Sequence, residues 1–60
     1  MSAAGRHCIL IIDDEEGIRI SLRGILEDEG HRVLEAHDAE TGLELLKKEA
    51  VDLVFLDIWR

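Results

Sequence analysis

The stretch His7-Cys-Ile-Leu-Ile-Ile-Asp-Asp-Glu-Glu16 decides how the chain folds. From Cys8 to Ile12 it is apolar without alternation, as in a strand buried on both faces rather than one with a solvated side. A first strand is therefore expected over His7–Asp13. Asp13 and Asp14 end the apolar run. Glu15 and Glu16 follow, where the positive end of a helix favours acidic residues. A first helix is expected from about Glu16 to Glu29, because Ile18, Leu22, Ile25 and Leu26 fall at i, i+4, i+7 and i+8 on one helical face. Gly30 is placed to end it as a left-handed cap.

The same unit then recurs. Arg32–Ala36 reads as a second strand, polar enough to lie at a sheet edge. Asp38 is positioned to cap a second helix running to about Glu49, with Ala39, Leu43 and Leu46 as its main apolar stripe and Leu45 widening it. Lys47 and Lys48 fall in its last turn, where the helix dipole favours cations. Asp52–Asp57 forms a third strand, apolar on both faces. The βα unit restarts at His7, His31 and Val51, which makes this one α/β domain over residues 7–60 behind a short leader at residues 1–6. An apolar first strand wants neighbours on both sides, so the expected strand order is 2-1-3. Crossovers are right-handed in about 98% of cases, and reversing the direction of travel puts the two helices on opposite faces. A topological switch point then lies between strands one and three, at their carboxyl ends, where open α/β sheets bind ligands.

Composition narrows the function. The chain has 60 residues, 47% hydrophobic, with 14 acidic against 7 basic residues and a net charge of −7. So small a domain buries only about 60% of the surface its unfolded chain exposes, and its stability is marginal. The acidic balance argues against direct nucleic-acid binding, which needs a basic face, and favours a cation. The one cysteine, Cys8, excludes an internal disulfide and reads as a buried structural thiol. No zinc-ligand spacing is present. The longest apolar run is too short to cross a bilayer, and the leader has no long apolar segment behind it. A cytoplasmic location without a membrane partner is expected.

The chemistry concentrates at the switch point. Asp13 and Asp14 close strand one and Asp57 closes strand three, so the topology gathers three carboxylates in one crevice. Their mutual repulsion would be relieved by a divalent cation, and Mg2+ suits a site of one or two carboxylates completed by waters and phosphate oxygens. An aspartate after a strand also serves as a helix cap; it is the adjacent pair together with Asp57 that favours the metal. Asp57 could then act as a carboxylate nucleophile in phosphoryl transfer. The remaining candidates read as structural. His7 and His31 begin strands as solvated residues, and His37 is a loop histidine without an evident partner. Arg19 and Arg23, at i and i+4 on helix one, serve solubility, and Glu27–Glu29 is a solvated helix end.

The segments Ile9-Leu-Ile-Ile-Asp-Asp-Glu-Glu16 and Leu53-Val-Phe-Leu-Asp57 resemble the receiver domain of two-component response regulators. Gly17-Ile-Arg-Ile-Ser-Leu-Arg-Gly-Ile-Leu26 and Asp57-Ile-Trp59 are similar to NtrC/NtrX-type nitrogen regulators in particular. The resemblance covers residues 7–59. It implies a flavodoxin-like fold truncated after β1-α1-β2-α2-β3, with parallel strands in order 2-1-3. It implies that Asp57 accepts a phosphoryl group from the phosphohistidine of a sensor histidine kinase. It further implies that Asp13, Asp14 and Asp57 hold Mg2+ with the backbone carbonyl of Trp59, and that the complete domain catalyses its own phosphorylation and dephosphorylation. Arg60 departs from the family, which continues with an apolar residue, a proline and an Asp-Gly turn. The family's later Ser/Thr and Lys, which contact the phosphoryl group, have no counterpart here, so efficient transfer by this chain alone is not expected. Two rival readings follow. One is a catalytically incomplete half-receiver that self-associates as a homodimer or larger assembly through the strand-three edge. The other is a phosphatase or nucleotide-binding enzyme on a related fold. It ranks last, because Asp14 is followed by Glu15-Glu16 where a haloacid dehalogenase needs Asp-x-Asp, and there is no glycine-rich phosphate loop.

Overall fold

The computed structural model describes residues 6–57. The elements are β1 (Cys8–Asp13), α1 (Glu16–Asp28), β2 (Arg32–Ala36), α2 (Ala39–Lys48) and β3 (Leu53–Asp57). The three strands are parallel and ordered β2-β1-β3, the order expected from the polarity of strand two. Every residue of β1 is buried, as its unbroken apolar run requires.

The two faces of β1 are covered by different helices. Leu10 and Ile12 point to one side, where they form the core with Ala36 and pack against Leu34, Leu45 and Val51. Ile9 and Ile11 alternate to the other side, where Ile9 shares a cavity wall with Leu26 of α1. On the first side α2 approaches unusually closely at Gly42. A Cβ there would collide with Cδ1 of Ile12 and lie 2.9 Å from its Cγ1. A hydrogen side chain is what lets the helix sit down on the strand.

Gly30 ends α1 at φ +92°, as expected. Its N–H donates to the Glu27 carbonyl at 2.9 Å and the His31 N–H to that of Leu26 at 3.1 Å. Both hydrogen bonds of a Schellman motif are therefore present. At the other helix, the Asp38 carboxylate accepts the Thr41 N–H at 2.7 Å and caps α2.

The expected apolar stripes are only partly right. On α1, Leu22 and Leu26 are half-buried, but Ile18 and Ile25 remain 41% and 61% exposed. On α2, Leu45 meets the core while Leu43 and Leu46 are exposed, the reverse of the expected emphasis. Both helices pack over β1 and β2 and leave the ground above β3 open. Apolar side chains on that flank have nothing over them among the described residues. Leu53, Val54 and Leu56 of β3 are likewise exposed, so this strand, apolar on both faces, is the edge of the sheet among the described residues, as the sequence reading expects. No helix among the described residues is long and apolar enough to cross a membrane.

Candidate functional site

β1 and β3 both run into the same end of the sheet, and Asp13 and Asp57 are partners in register there. Neighbouring strands lie about 4.8 Å apart, and register partners on parallel strands project to the same face. The two carboxylates therefore share one side of the sheet, the side that carries α1. The β1-to-α1 turn places Asp14 next to them.

The three aspartates differ in environment. Asp13 is 3% exposed, whereas Asp14 and Asp57 face solvent. Asp13 Oδ1 accepts the Glu15 N–H at 2.9 Å, which fixes the turn into α1. Asp13 Oδ2 is buried and has no hydrogen-bond donor among the described residues. A buried acceptor without a partner is costly, and a carboxylate more so than a neutral group. An oxygen-seeking cation fits that atom chemically, and Asp14 and Asp57 carry carboxylate oxygens of the kind Mg2+ takes. Among the described residues, no three His, Cys, Asp or Glu side chains are grouped so that they could hold a metal ion, so Asp13, Asp14 and Asp57 do not converge as closely as the sequence reading expects. Trp59, expected to offer its carbonyl, lies outside the described residues, as does most of the leader.

Arg19 does not serve solubility, and this corrects the reading from sequence. Its side chain is only 14% exposed. Nη1 donates to the Asp13 carbonyl at 2.6 Å and Nε to Glu35 Oε1 at 3.2 Å. Arg23 reaches the same carboxylate from the next turn, Nη1 to Glu35 Oε2 at 2.8 Å, and also holds Glu27 at 3.2 Å. The hydrogen bond from Arg23, joined by that from Arg19, holds the Glu35 carboxyl below the ordinary glutamate range despite its partial burial. Glu35 is the register partner of Ile11 and so lies on the same face as Asp13. That parity was available in the sequence: a glutamate on the helix-covered face of a strand needs a cation above it, and arginines four apart on α1 can supply one.

The histidines also have partners. At the opposite end of the sheet, the His7 N–H donates to His31 Nδ1 at 3.1 Å, and the two rings stack at 5.5 Å between centroids. Asp52 Oδ2 accepts the Cys8 N–H at 2.8 Å and lies 3.9 Å from His7 Nδ1. A cavity of about 460 Å³ opens beside them, floored by Ile9, Leu26, Leu53 and Phe55. His37 Nε2 sits 3.1 Å from Asp38 Oδ2, the cap of α2. The hydrogen bonds from Thr41 hold the Asp38 carboxyl below its usual range. Cys8 is buried, in keeping with a structural thiol.

Comparison with known proteins agrees with this arrangement. The family model of the response regulator receiver domain matches residues 9–59. The chain is 47% identical over 53 residues to the nitrogen assimilation regulatory protein NtrX of Azorhizobium caulinodans, covering 88% of this chain and 12% of that protein. It is 43% identical over 51 residues to a putative NtrX-like response regulator of Rickettsia bellii, covering 85% of this chain and 11% of the relative. Over 50 residues it is 42% identical to sporulation initiation phosphotransferase F of Bacillus subtilis, covering 83% of this chain and 40% of the relative. The chain thus spans less than half the length of each of these relatives. With a β2-β1-β3 parallel sheet, Asp13 and Asp57 in register at its carboxyl end, and a match over residues 9–59, the chain belongs to the response regulator receiver domain family of two-component systems.

Proposed function

We propose that this chain is the phosphoryl-accepting part of a response regulator, with Asp57 as the acceptor. A carboxylate oxygen of Asp57 attacks the phosphorus of a sensor kinase's phosphohistidine. The new O–P bond forms as the N–P bond breaks, and the imidazole leaves with the electron pair and takes up a proton. Asp57 is exposed, as an acceptor that must meet a partner protein needs to be. Asp13, Asp14 and Asp57, with the carbonyl of Trp59, would hold Mg2+, which when bound offsets the charge that builds on the transferring group. The observation that carries this reading is the buried Oδ2 of Asp13, without a donor among the described residues, on the register partner of Asp57. The net charge of −7 supports a protein partner and a cation rather than nucleic acid. A cytoplasmic location follows from a partnership with the kinase's phosphohistidine. Treating the chain with a small-molecule phosphodonor and Mg2+ and reading the intact mass tests the proposal. One added phosphoryl group, absent from Asp57→Asn, is expected.

A second reading has its own support. Among the described residues nothing pairs with the outer edge of β3, and Leu53, Val54 and Leu56 of that strand are 49%, 38% and 64% exposed. Apolar edges of this kind pair with other chains. Two copies joined antiparallel through β3, a two-fold arrangement, would continue the sheet and cover this surface. The resulting homodimer, or a larger assembly, is compatible with phosphoryl acceptance. It becomes the alternative function if no phosphoryl group is taken up.

A further inference from the structure

We propose that Arg19 is the positioning residue of the acidic site, holding the peptide between Asp13 and Asp14 so that the two carboxylates are presented to a cation at a fixed separation. The inference rests on the reading of that site as a cation site, and it assigns a role to a residue that touches neither cation nor phosphoryl group.

The geometry is a relay across three elements. Glu35 on β2 receives Arg19 Nε on one oxygen and Arg23 Nη1 on the other. Both oxygens of the carboxylate are thus engaged by α1. The guanidinium is planar and rigid, so fixing Nε aims Nη1. Nη1 then donates to the carbonyl oxygen of Asp13 at 2.6 Å. That oxygen belongs to the same peptide group as the Asp14 nitrogen. The carboxylate of Asp13 is held separately, by the Glu15 N–H on Oδ1. With both the side chain and the following peptide pinned, Oδ2 stays buried and aimed at the site although nothing within the described protein bonds to it.

An ordinary surface arginine would not fit this description. The Arg19 side chain is 14% exposed and that of Glu35 21%, against 50% for Arg23. Arg23 braces Glu35 but makes no contact with the aspartates. The two arginines therefore supply an internal control. Loss of Arg23 loosens the relay at its far end, and loss of Arg19 removes its side-chain link to the Asp13–Asp14 peptide.

The test is a calorimetric Mg2+ titration of the wild type, Arg19→Gln, Arg19→Lys and Arg23→Gln, paired with backbone NMR and thermal unfolding of each. Outer contacts that orient ligands typically change metal affinity by about 10- to 100-fold when removed. Arg19→Gln is expected to weaken Mg2+ about tenfold or more, and to shift the Asp13 carbonyl carbon and the Asp14 amide nitrogen before any metal is added. Arg19→Lys, which keeps one donor but not the fork, is expected to fall between. Arg23→Gln is expected to lower thermal stability comparably and leave Mg2+ affinity within about twofold. Wild-type affinity in Arg19→Gln, with the Asp13 carbonyl shift showing the bond lost, overturns the proposal. So does an equal loss of affinity in Arg23→Gln, which would make the effect one of general stability. Absence of Mg2+ binding in the wild type instead overturns the cation-site reading beneath it, and the wild-type titration alone separates that failure from the other two.

Discussion

Asp13 and Asp57 end adjacent parallel strands in register, one buried with an oxygen to which no described residue donates, the other open to solvent. The contrast between a desolvated carboxylate and an accessible one arises from topology, and the proposed function assigns the first to a cation and the second to the phosphoryl group. β1 is central and covered on both faces, while β3 is an edge. One consequence concerns metal and stability together. Mg2+ that binds only the folded chain raises its melting temperature with concentration by mass action. Thermal scans in increasing Mg2+ are expected to show this for the wild type and not for Asp13→Asn. In chelator the variant is expected to melt a few degrees higher, because a buried, incompletely paired charge has been removed from an acidic cluster, the usual exchange of function against stability. A chelated variant that melts lower contradicts this account of Oδ2.

Two glycines on helices are expected to respond to alanine with opposite signs. Gly42→Ala drives a methyl into Ile12 in the core. Overpacking of this kind costs about 1–3 kcal/mol, which outweighs the roughly 1 kcal/mol gained in helix propensity. Gly24 lies on α1 with open space where its Cβ would be. Gly24→Ala is expected to stabilise by about 0.5–1 kcal/mol. Urea unfolding of the two variants beside the wild type reads both signs, and stabilisation by Gly42→Ala would show that α2 does not rest on β1 as described.

Acid is expected to weaken the fold through Glu35 and Asp38. Both carboxyls are held below their ordinary values in the folded state, Glu35 by Arg23 first and Asp38 by the Thr41 backbone bond first. A group with a depressed folded pKa binds protons more readily when unfolded. Its stabilising contribution is thus fully present above the unfolded value of about 4 and is lost as pH falls through the folded one. Unfolding free energies from pH 7 down to pH 3 are expected to decline below about pH 4.5, and Glu35→Gln is expected to flatten that decline. An unchanged acid limb in Glu35→Gln would remove the Arg19–Glu35–Arg23 relay from the stability of the fold.

The open β3 edge predicts concentration-dependent self-association. Light scattering across a dilution series is expected to show the wild type moving towards monomer as it is diluted. Leu56→Lys places a charge on the most exposed apolar residue of the edge, a device that natural edge strands use against pairing. It is expected to be monomeric at concentrations where the wild type is not. A wild type that is a compact monomer throughout contradicts pairing through β3.

Most of the architecture was legible because it rests on local chemistry. Unbroken apolar runs marked β1, the polarity of Arg32–Ala36 put β2 at an edge, and Gly30 and Asp38 marked helix ends with the hydrogen bonds expected of them. That Asp13 and Asp57 end neighbouring strands followed from strand order, while their register did not. What periodicity could not supply was which part of an apolar stripe would find a partner. Ile18, Ile25, Leu43 and Leu46 have the right spacing, yet they stay exposed, because the described residues provide no layer to cover them. Arg19 was misread for a related reason. Its value comes from the carbonyl of Asp13 and from Glu35, 16 residues away in sequence. Helical spacing taken alone does not reveal such a partner; the signal lay in the parity of Glu35 on β2.

The central claim, that Asp57 accepts a phosphoryl group in a site completed by a cation on Asp13, is tested most directly by one intact-mass experiment with peptide mapping. The chain is incubated with a small-molecule phosphodonor in Mg2+ and, separately, in chelator. The account predicts a single phosphoryl addition that maps to Asp57, requires Mg2+, and disappears in both Asp57→Asn and Asp13→Asn. Phosphorylation that persists in chelator or in Asp13→Asn, or that maps to another residue, would contradict it.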